Sequence, residues 1–287
     1  MTSVLNSLDT VKLLEEACNE TLNVFVESVK QAGDKSKIQL LANSFFHKKS
    51  EEFFVTLLAS ILEKRVWDDG HRVFLEASYK KDSKIFTGSA KSNQDLLALN
   101  AGDLFIRRSM GTGFDKDALM YVEAKNWGYG DFNESGKLSG KKNAIDLLKD
   151  VFYKLGTYKK QHPDTPCYML MLGSGASVNT PIRDKYSKAM DLDKRKNFLK
   201  FIEFGADGYG LKKVLELPLV SPEHVFEGRN LGIDVAIFEV EFLADSKQQE
   251  LIRALYPNEY EDFTTQLKDM SKKHIEGVEA IYSLLTI

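Results

Sequence analysis

The sequence predicts an α/β fold, a central mixed sheet flanked by helices, and three observations carry that expectation. Apolar residues recur at helical spacing before residue 66. Three strand-like runs then follow between residues 72 and 126. A second helical stretch leads into CYMLML (Cys167–Leu172), short and fully apolar. The middle of the chain therefore reads helix, three strands, helix, strand, the alternation expected of a layered α/β core.

The elements follow in order. Val11, Leu14, Ala17, Leu22, Phe25 and Val29 predict a first helix, and a second helical piece is expected over 38–46. Ser50 stands before Glu51 and Glu52 as a helix start with acids in its first turn. Phe54, Leu57, Leu58, Ile61 and Leu62 give that helix an apolar face ending near Arg65. RVFLEASY (72–79), GDLFIRR (102–108) and 118–126 predict strands, with the glycine-rich SMGTGFDKD as the hairpin connection between the last two. Asn143 is expected to cap a helix reaching about Gln161, which Pro163 and Pro166 end. Residues 185–204 predict a charged helix, 233–242 a strand, and 248 onward helix interrupted near Pro257. No motif in 177–225 points to a role.

Composition narrows the class. The chain has 287 residues, 43% hydrophobic and 28% charged, with net charge −3. This is ordinary for a soluble globular protein and carries no global basic signature, so any nucleic-acid contact must come from a local patch. Cys18 and Cys167 form no CxxC pair, which argues against a disulfide framework or zinc site and predicts a reducing, cytoplasmic compartment. The N-terminal residues have no apolar signal-peptide core, and no run is long and apolar enough to span a membrane. The five histidines are scattered, and neither GTG nor GSG forms a phosphate-binding GxxxxGK[ST] loop.

The chemistry concentrates in YVEAKNW (Tyr121–Trp127). Strand alternation puts Tyr121, Glu123 and Lys125 on one face and Met120, Val122 and Ala124 on the other. A carboxylate and an ammonium together on one face of an apolar strand need partners. Asp103 opens the preceding strand. If the two strands pair as a hairpin, Asp103 and Glu123 come side by side at one end of the sheet. Two close carboxylates repel unless a cation sits between them, and Mg²⁺ suits such an oxygen-ligand site. A lysine beside it orients water or stabilises phosphate charge.

Asp103, 19 intervening residues and Glu123-Ala124-Lys125 resemble the D-x(n)-(E/D)-x-K signature of the PD-(D/E)XK nuclease superfamily, the restriction-endonuclease-like fold. The order helix, three strands, helix, strand over roughly 49–175 is also that superfamily's core order. Gly102 stands where the superfamily's name has Pro. The resemblance implies Mg²⁺-dependent hydrolysis of phosphodiester bonds, with Mn²⁺ as a possible substitute. Asp103, Glu123 and the backbone carbonyl of Ala124 would ligate the metal, and Lys125 would position the attacking water. An acid from the first core helix is expected to join them. Glu52 fits best, with Glu51 and Glu63 poorer candidates and Glu76 on the first strand a further one.

The implied organisation is an N-terminal helical elaboration (1–48), a nuclease core (49–175) and a C-terminal elaboration (176–287), packed as one integrated domain. The expected activity is that of an endonuclease of restriction or defence type on double-stranded DNA, acting as a homodimer because two symmetric sites cut two strands. Two other functions fit the same residues: an RNA or single-strand nuclease, and a non-catalytic nucleic-acid-binding or assembly module. Lys141, Lys142, Arg107 and Lys154 are the basic residues expected to meet the phosphate backbone. Trp127, Tyr129 and Phe132, interleaved with lysines, would either contact bases or pack their loop onto the sheet.

Overall fold

The computed structural model describes residues 7–31, 50–68, 70–75, 104–109, 114–161, 163–174, 192–220 and 233–269. Its elements are helix α1 (Ser7–Gln31), helix α2 (Ser50–Val66) and strands β1 (His71–Leu75), β2 (Leu104–Ser109) and β3 (Phe114–Gly128). Helix α3 (Lys141–Lys149) runs through a π-helical turn (Asp150–Leu155) into α4 (Gly156–Gln161), and strand β4 (Cys167–Ser174) follows. Helix α5 (Leu192–Lys200) ends in a second π turn (Phe201–Gly205) and a 3-10 turn (Ala206–Tyr209). Then come β5 (Leu211–Val220), β6 (Ile233–Val240), α6 (Asp245–Leu255) and a helical stretch over 260–269.

The strands form one six-stranded mixed sheet in the order β1-β2-β3-β4-β6-β5. Among the described residues only β3 and β4 pair in parallel, and the 141–161 helix makes the crossover such a pair requires. The predicted hairpin is present: β2 lies antiparallel to β3, with Ser109 opposite Phe114 and Leu104 opposite Val122. β5 and β6 add to the far side of β4, so the C-terminal region extends the same sheet.

The sheet divides the core in two. One face carries Met120, Val122, Ala124, Leu170 and Ile237 and packs against Leu14, Leu22, Phe54, Leu58 and Leu62 of α1 and α2. The other carries Tyr121, Trp127, Met169, Met171 and Phe238 and packs against Leu148, Phe152, Phe198, Phe201 and Phe263. The odd and even residues of β3 thus take opposite faces, as alternation requires. Both faces of β4 are covered, which explains its unbroken apolar sequence. A Cβ on Gly173 would collide with the Phe198 ring, so glycine here lets α5 lie close on the sheet.

Several expectations need correction. The helix after β3 begins at Lys141 behind Gly140, whose φ of 89° suits only glycine. Asn143 lies inside the helix, and its amide reaches the Asp131 carboxylate and the Ser139 carbonyl instead of capping. β3 starts four residues before the expected 118. The motif-free stretch contains β5, whose Pro218 sits where the register to β6 shifts, on an edge strand that tolerates a missing N–H. Trp127, Tyr129 and Phe132 are 5%, 2% and 3% exposed, so they pack their loop onto the sheet rather than meeting bases. The expected helix over 38–46 and residues 76–79 of the first strand lie outside the described residues. No helix among the described residues is long and apolar enough to cross a membrane.

Candidate active site

Glu123 and Lys125 share a face of β3, and the π-helical turn lies over them. The turn carries Asp150 and Lys154, four residues apart and so on one side of the helix. Lys125 Nζ lies 3.2 Å from Glu123 Oε1 and 3.1 Å from Asp150 Oδ2. Lys154 Nζ lies 2.8 Å from the same Glu123 oxygen and 3.5 Å from Asp150 Oδ1. Each lysine therefore touches both acids, and the four side chains close a ring of alternating charge.

The ring is deeply placed on its acidic side. The Glu123 side chain is 0% exposed and that of Asp150 2%, against 22% for Lys125 and 11% for Lys154. Buried carboxylates are tolerated because charged partners hold them. Burial alone would lower the Lys154 pKa. The Glu123 and Asp150 carboxylates more than offset it and hold the pKa above its ordinary value, so Lys154 is an ammonium at neutral pH.

The β2 side of β3 is the second feature. Among the described residues β2 pairs no further along β3 than Val122. A strand residue directs its N–H and C=O to one edge, and its neighbours to the other. The Tyr121 N–H donates to the Pro166 carbonyl on the β4 side, whereas the Asn126 N–H donates to Glu51 Oε2 at 2.6 Å on the opposite side. Ala124 shares the edge of Asn126, so its carbonyl is directed away from β4, toward the end of β2.

Glu51 is thus a helix acid placed against β3. Glu51, Val55, Leu58 and Leu62 form one stripe, and Val55, Leu58 and Leu62 are buried on the sheet side of α2. Burial raises the Glu51 pKa and the charges of Glu123 and Asp150 add to it, opposed by Lys125 and the Asn126 hydrogen bond. A carboxyl that keeps its proton to higher pH when folded than when unfolded loses stability as pH rises through that interval. Glu51→Gln keeps an acceptor for Asn126 and removes the titration. The variant is expected to lose less stability than wild type as pH rises above the ordinary glutamate range, read from urea midpoints.

The other anticipated residues are distributed as follows. Asp103 and Glu76 lie outside the described residues, as do the side chains of Glu52 and Arg107. The Leu104–Val122 pair joins the chain neighbours of Asp103 and Glu123. Glu63 turns away from β3, accepting from the Val73 N–H. Lys141 is half exposed and ion-paired with Asp262, Lys142 is exposed, and Lys154 belongs to the charged ring. Asp150 went unnoticed in the sequence. Its signal is an acid spaced among Leu147, Val151 and other apolar residues of a helix face that the structure buries.

The donors suit a hard divalent cation, being carboxylate and carbonyl oxygens. Asp150 Oδ1 is buried and makes no hydrogen bond among the described residues. Glu123 and the Ala124 carbonyl fit as two members of a ligand set. Among the described residues no three acidic, histidine or cysteine side chains converge as a complete one. Comparison with known proteins finds no family model, curated relative or solved structure that matches this chain.

Proposed function

We propose that the protein is a metal-dependent nuclease of the PD-(D/E)XK type that hydrolyses phosphodiester bonds of DNA. The observation that carries this reading is Glu123 and Lys125 on one face of β3, directly after Val122, which pairs with Leu104 of β2. Leu104 and Val122, the chain neighbours of Asp103 and Glu123, face each other across β2 and β3. A sheet in which β1 to β3 are antiparallel and β4 joins parallel after a helix agrees with the core order of that superfamily.

Asp103, Glu123 and the Ala124 carbonyl would hold Mg²⁺, or Mn²⁺ in its place. When bound, the ion supplies a Lewis acid that offsets charge developing on the phosphoryl oxygens. Lys125, a compact ammonium on a flexible stem, orients the attacking water and stabilises negative charge on phosphate. Exposed lysines such as Lys142 supply sequence-independent attraction to the backbone. A pair of molecules related by a two-fold axis would cut both strands of a duplex.

Wild-type protein is to be incubated with plasmid DNA, single-stranded DNA and RNA, each with Mg²⁺, Mn²⁺ or EDTA. Metal-dependent cutting of the plasmid is the expected result. Cutting of RNA or single strands alone would keep the chemistry and change the substrate. Folded protein that binds nucleic acid and cuts none of the three would make this a binding module.

A further inference from the structure

We propose that Asp150 and Lys154 are positioning residues of the β3 site, an inference that rests on the nuclease reading above. The motif on β3 gives Glu123 two duties that compete. It must face the metal, and it is also a hydrogen-bond partner of Lys125. A lysine stem has four rotatable carbons and a point charge at its end, so one partner fixes it poorly. Asp150 gives Lys125 a second anchor, at 3.1 Å, on an oxygen other than the one that Lys154 approaches. When the Glu123 carboxylate turns to a cation, Lys125 keeps its place through Asp150.

Lys154 completes the arrangement. Without it, the two buried carboxylates would share the Lys125 ammonium, with Lys149 a looser partner 3.9 Å from Asp150 Oδ1, and each would repel the other. Lys154 bridges both acids, so the second anchor adds no net charge. The π-helical turn carries the pair: the Gly156 N–H donates to the Val151 carbonyl five residues back, widening the helix where it crosses Glu123. Neither residue is required to touch substrate. Both act through Lys125 and Glu123.

The test compares wild type, Asp150→Asn and Lys154→Arg by two readouts. One is the ¹H–¹⁵N correlation of the Lys125 ammonium, assigned with Lys125→Arg and recorded without nucleic acid. The other is steady-state cleavage with Mg²⁺. Asp150→Asn is expected to remain folded, to lose the slowly exchanging Lys125 signal, and to lower kcat roughly 10- to 100-fold with little change in KM. Lys154→Arg, which keeps a cation between the acids, is expected to retain both. If Asp150→Asn does not fold, Asp150→Ser is read in the same way. A folded variant whose Lys125 signal or kcat matches wild type overturns the proposal. Failure of wild type to cut any substrate would overturn the nuclease reading instead, and the Lys125 signal alone then decides whether Asp150 positions it.

Discussion

Lys125→Ala is expected to lower the cleavage rate by roughly 100- to 1000-fold while leaving nucleic-acid affinity nearly unchanged. The Lys125 side chain is 22% exposed, against 0% for Glu123 and 2% for Asp150, so it is the more accessible partner in these contacts. A charge held there by Glu123 and Asp150 is in place before the reaction begins and needs no reorganisation when charge develops on phosphate. Removing an interaction realised mainly in the transition state lowers kcat and kcat/KM together. Affinity rests instead on several exposed lysines, each replaceable, so a single alanine at 125 does little to it. Single-turnover cleavage and fluorescence anisotropy with the same labelled duplex separate the two quantities. If both fall in equal proportion, Lys125 binds the backbone rather than assisting the chemistry.

Lys154→Met is expected to destabilise the protein by about 3–5 kcal/mol, the largest stability effect in the ring. The asymmetry of burial explains the choice of residue. Deleting an acid leaves lysines whose ends can turn to water. Deleting Lys154 leaves Glu123 and Asp150, with side chains 0% and 2% exposed, sharing Lys125, with Lys149 a looser partner 3.9 Å from Asp150 Oδ1. Methionine fills the volume of the stem, so the loss reports the charge and not a cavity. The measurement is the urea midpoint at neutral pH. A small loss would show that the remaining ammonium groups, Lys125 and Lys149, satisfy the two acids.

The legible part of the fold was the part written in side-chain period. β3 and β4 were visible because they alternate faces or bury both, and the hairpin because Ser109 and Phe114 flank a glycine-rich run. β5 was not, since LKKVLELPLV mixes charge and proline on an edge strand packed mainly from one side. The helix start was misplaced because Gly140 works through its backbone angle, which a search for a capping side chain misses. At the site, Glu123 and Lys125 stood out because a charged pair on an apolar strand is costly without partners. Glu51 and Glu52 are one residue, about 100° apart around a helix, and spacing near a helix end does not tell which of them faces the sheet. Asp150 and Lys154 come to Glu123 through the crossover of a parallel strand pair, and no local pattern states which residues a crossover brings together.

The most direct measurement is Mn²⁺ binding to the protein alone, by calorimetry, in wild type and Glu123→Gln. Wild type is expected to bind Mn²⁺, and Glu123→Gln to lose that binding while keeping its fold. Equal binding by the two proteins, or none by wild type, would contradict a metal site on β3.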